Sequence, residues 1–132
     1  ILGFDNQYNI IGDFDLVVRL SLNWKFSCSQ EPLAYYRIHD NNFSFLNSST
    51  EIDELKKWIL NEKICHNPSF KPHIKYTSQR INFLKTLKDI NEGKLIKAIK
   101  NTFFFPIGLN KIKLMFYIIL PKIILRKFKK FQ

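Results

Sequence analysis

The chain has 132 residues, 45% of them hydrophobic, with 13 Phe against 4 Gly. That is enough apolar material for one domain with a real core, and it excludes a disordered tail or a protein built on glycine-rich loops. The net charge of +10 is unevenly placed: acids and bases balance up to Gly93, and from Lys94 onward there are ten Lys/Arg and no acid.

In chain order, Asp13 to Asn23 is predicted as a helix, with Leu16, Val17 and Leu20 as its inward stripe and Asp13 at its start. Trp24–Ser29 and Leu33–Ile38 are expected as two short strands either side of a Gln30-Glu31-Pro32 turn. The polar run from His39 to Thr50 is expected as a loop. Thr50 and Asp53 then resemble a capping box that opens a helix reaching about Cys65. A Pro-flanked connector, Asn67 to Pro72, precedes a helix from about Thr77 to Asn91, which Gly93 should end. A short helix over Lys94–Thr102 follows. The last helical stretch spans Asn110 to Lys130, interrupted at Pro121.

Cys28 and Cys65 have neither the spacing of a zinc site nor that of a disulfide framework, and Cys28 is expected as a small buried hydrophobe. His66 and His73 read as surface residues. The chain opens on Ile1 and its one methionine is Met115, so it is expected to be a C-terminal fragment.

Two acids near the head of the first helix are candidates for chemistry. Asp13 precedes Leu16, Val17 and Leu20 by three, four and seven residues, which sets it on the edge expected to face the interior. Asp15 stands four residues before Arg19, an exposed acid-before-base pair that needs no chemical role. Asp13 is therefore the preferred general base, with a helix N-cap as its other role. About twenty residues later, Arg37 and His39 fall on one face of a strand end, an arrangement suited to a diphosphate or a metal-bound phosphate.

The blocks Gly12-Asp13-Phe14-Asp15-Leu16 and Tyr35-Tyr36-Arg37-Ile38-His39, in this order and at this separation, resemble the back half of the catalytic domain of family 2 (GT-A fold) glycosyltransferases. The resemblance covers Leu2 to Ser44. It implies an α/β remnant of a GT-A-type domain over residues 1–49, followed by a mainly α-helical basic extension over 50–132. It also implies Asp13 as the catalytic base, Arg37 and His39 as donor-binding residues, and His39 beside the metal. The family's Glu before the base is Gly12 in this chain. The implied activity is inverting transfer of a sugar from a nucleotide sugar to the hydroxyl of a glycan or lipid-linked acceptor, in cell-surface polysaccharide or glycan synthesis. A divalent cation, Mg2+ or Mn2+, would be held largely by an N-terminal half that this chain lacks.

The tail points elsewhere. Large apolar side chains from Phe103 to Phe131 alternate with Lys and Arg only, which suits an amphipathic helix in the headgroup region of an anionic leaflet. Its longest uncharged run, Leu114–Pro121, is too short for the roughly 20 residues of a spanning helix. Nucleic acid is disfavoured, because a single-strand groove uses regularly spaced stacking rings. The same apolar side chains also suit closing the core. The expected location is cytoplasmic, peripheral on the inner face of the membrane. The alternative to the enzyme is a small basic membrane-associated module without catalysis.

Overall fold

The computed structural model describes residues 3–35 and 48–120. All regular structure among them is helical: α1 (Gly12–Ser21), α2 (Ser48–Leu60), α3 (Glu62–Cys65), a 3-10 turn (Pro68–Phe70), α4 (Lys71–Asn91), α5 (Leu95–Phe104) and α6 (Leu109–Ile119). The expected α/β remnant is thereby corrected. Trp24–Ser29 and Leu33–Tyr35 are irregular and exposed, with no strand among the described residues. Aromatic and β-branched content favours a strand only where a neighbour takes up its backbone hydrogen bonds, and among the described residues no strand pairs with these segments. Residues 36–38, the rest of the second expected strand, lie outside the described residues.

The chain falls into two compact units, residues 1–78 and 79–132. The compositional boundary after residue 49 lies inside the first. In that unit Trp58, fully buried, is the centre of the core. Its ring meets Phe14 at 5.1 Å and Phe70 edge-on at 6.2 Å, geometries that add to simple area burial. Ile11, Val18, Ile52, Leu55 and Ile64 are buried in the same unit.

Asparagines punctuate this unit. The continuous helix expected to Cys65 breaks at Asn61, whose extended backbone ends α2 and whose side chain accepts from the Lys63 N–H at 3.0 Å, opening α3. Asn67 repeats the device, accepting from the Ser69 N–H at 3.0 Å ahead of Pro68. Both are side-chain caps for donors that a helix start leaves unpaired. The connector drawn to Pro72 is shorter than expected, since α4 already begins at Lys71. Proline is tolerated there because the first-turn N–H groups have no intrahelical acceptor.

In the second unit, Phe83, Ile90, Ala98, Phe105 and Leu114 form the buried cluster, with Leu87, Tyr117 and Ile118 against it. Gly93 ends α4 as expected, and the reason is visible: its φ is 80°. The Lys94 N–H reaches the Asp89 carbonyl at 2.8 Å and the Gly93 N–H the Ile90 carbonyl at 3.1 Å. This is a Schellman closure, which needs a left-handed residue at that position. The turn also seats Lys97 against the buried Asp89 carboxylate at 3.1 Å. Among the described residues no helix is long and apolar enough to cross a membrane. The expected stretch 121–130 lies outside them.

Candidate functional site: the head of the first helix

The loop before α1 forms an open hollow of about 430 Å³, with Phe4, Asp5, Tyr8, Asn9 and Asp13 in its lining. Its shape is imposed from α2. The Glu54 carboxylate accepts from the backbone N–H groups of Asn9 and Ile10, each at 2.9 Å, and of Ile11 at 3.1 Å. Burial pushes the Glu54 carboxyl up, but these three donors outweigh it and hold its pKa below the ordinary glutamate value. On the other side of the loop, Asp5 accepts from the Gln7 side chain at 2.7 Å and the Gln7 N–H at 3.1 Å. Those bonds lower the Asp5 carboxyl. Tyr8 packs beneath, its phenol raised by burial and partly drawn back by the Asn61 side chain.

The two acids of α1 sit the other way round from the sequence reading. Asp13 is exposed at the rim of the hollow, its Oδ1 accepting from the Phe14 N–H at 2.7 Å. Asp15 is only 3% exposed. Its carboxylate takes the Trp58 indole N–H at 3.0 Å and the Arg19 guanidinium at 2.8 Å. The inward line of α1 runs Ile11, Asp15, Val18, while Val17 is half exposed. A hydrophobicity stripe misses this because it assigns every acid to solvent. Here one acid is matched by a buried indole donor and a guanidinium, which offset the desolvation of its charge.

No protein-family model, curated protein or solved structure matches the chain.

Arg37 and His39 lie outside the described residues. Among the described residues no cluster of three His, Cys, Asp or Glu stands ready for a metal ion. Cys28 is exposed, not a core residue, and Cys65 is exposed too. His66 is exposed, its Nδ1 within 3.1 Å of the Glu62 carbonyl, whereas His73 is half-buried with its ring 6.4 Å from Phe70. Glu54 is the residue that sequence reasoning missed. Its signal is position: an acid four residues before Trp58, inside the Ile52–Leu55–Trp58 stripe of α2.

Proposed function

We propose that these residues supply the acceptor side of an inverting glycosyltransferase, with Asp13 as the general base. Its carboxylate would take the proton of the acceptor hydroxyl as that oxygen attacks the anomeric carbon. The bond from that carbon to the nucleoside diphosphate breaks in the same step, with inversion. One observation carries the reading: of the two acids on α1, Asp13 alone faces an open hollow, while Asp15 is occupied by Trp58 and Arg19. A general base must reach its substrate, and only the rim position allows that. Glu54 supports the role from behind by fixing the loop that carries the hollow.

Donor nucleotide and divalent cation fall to other residues in this reading, with Arg37 and His39 on the diphosphate and His39 beside the metal. Neither exposed cysteine is paired, which suits a reducing cytoplasmic location at the inner face of a membrane.

The test is sugar transfer by the protein that carries these residues. Asp13→Asn should lower turnover by about a hundredfold to ten-thousandfold while helicity and donor binding stay unchanged. Asp15→Asn should lower the melting temperature and leave turnover per folded molecule near wild type. Full turnover in the Asp13 variant would remove the base from this site.

A further inference from the structure

The second unit leaves apolar surface bare on two adjoining elements. On α6 one side is buried through Leu114, with Tyr117 and Ile118 beside it, yet Leu109, Ile112, Phe116 and Ile119 recur at three- and four-residue spacing on the other and stand exposed. A helix apolar on both sides is one that has two apolar surroundings. At the corner leading into it, Phe103 and Phe104 are about three-quarters exposed, and Ile107, just after Pro106, is 97% exposed. The two rings meet edge-on at 5.4 Å and project together. On α5, Ile96 and Ile99 continue the same bare side.

Charge identifies what covers this surface. Residues 94–120 carry Lys94, Lys97, Lys100, Lys111 and Lys113 and no acid. Lys111 is folded back onto the corner, its Nζ donating to the Phe103 carbonyl at 2.8 Å and lying 5.8 Å from the Phe103 ring centre. Lys94 and Lys97 are paired with Glu92 and Asp89 at 2.6 and 3.1 Å, which leaves Lys100, Lys111 and Lys113 as the charge of this face; a second copy of the chain would set these three against their own counterparts, and repulsion opposes that pairing. A lipid leaflet with anionic headgroups satisfies both halves: apolar side chains enter the acyl boundary and the lysines remain among phosphates.

We propose that the α5–α6 corner docks on an anionic membrane surface, with Phe103, Phe104 and Ile107 as the inserting tip and the stripe of α6 lying along the interface. The contact is peripheral. It does not depend on whether the chain takes part in sugar transfer, since no residue of the first unit enters it.

The experiment is co-sedimentation of the intact chain with vesicles of mixed phosphatidylglycerol and phosphatidylcholine, and with phosphatidylcholine alone. Wild type should bind the anionic vesicles more tightly, and high salt should weaken that binding without abolishing it. The triple variant F103S/F104S/I107S, altered only at exposed positions, should keep its circular dichroism and lose affinity on the order of tenfold or more. K100E/K113E should lose the preference for anionic vesicles. Three results would overturn the proposal: no sedimentation of wild type with anionic vesicles, equal binding by the triple variant, or a lipid-free dimer that the triple substitution disperses. The last would make the face an interface between two copies.

Discussion

Asp15 and Trp58 show how one buried polar pair sets the register of a helix. The indole N–H and the carboxylate meet at 3.0 Å inside the first core, and each is costly without the other. Asp15→Ala leaves the indole donor without its acceptor and strips Arg19 of its buried partner. The expected loss is about 3 kcal/mol. Trp58→Phe removes the donor and part of the core volume, and the double variant should be less destabilised than the two single losses added together. A coupling of about 1–2 kcal/mol in urea unfolding is the expected value; strict additivity would mean the bond contributes nothing net. Glu54 gives a second test at this scale. Its folded pKa is lowered, so its contribution is complete above the ordinary glutamate pKa and is lost as pH falls through the folded value. Acid titration of stability should therefore show wild type losing ground against Glu54→Gln below the ordinary glutamate range, and the gap between them should be constant at neutral pH.

At the scale of elements, the end of α4 is decided by short-range chemistry, and there sequence and structure agree. Gly93 is legible because a left-handed residue after a long helix is nearly always glycine. Gly93→Ala should cost about 1 kcal/mol through its positive φ, seen as a lowered melting temperature. Gly12 is the contrast. It takes no positive φ, and an added Cβ would meet only Phe4 at 3.6 Å, an ordinary contact. Gly12→Ala should therefore be neutral or stabilise α1 by about 0.5 kcal/mol, measured the same way. The break at Asn61 was harder to foresee, since asparagine occurs within helices as well as at their starts. What selects the cap here is its contact with the Lys63 N–H, and the burial of Ile64 just beyond it.

Over the whole molecule, apolar content exceeds what the two cores consume. Leu114 is completely buried at the centre of the second cluster. Leu114→Ala should cost about 2–5 kcal/mol, with amide-exchange protection falling first within residues 79–120. By contrast Phe116, two residues on in the same helix, is exposed. Sequence hydropathy treats Leu114 and Phe116 alike, and only packing separates them.

Several things were therefore set by sequence alone: helix as the regular structure of the described residues after Ser49, the left-handed stop at Gly93, and the concentration of positive charge after Glu92. Each follows from interactions within a few residues or from composition. Tertiary structure decided the rest. It turned Asp15 inward, because a Trp58 donor forty-three residues away is available to it. It shaped the hollow through Glu54, which acts across a similar separation. It withheld strand pairing from Trp24–Ser29, since a strand exists only with a neighbour. And it left one side of α6 bare, because the burial of a face depends on what packs against it and not on the residues of the face alone.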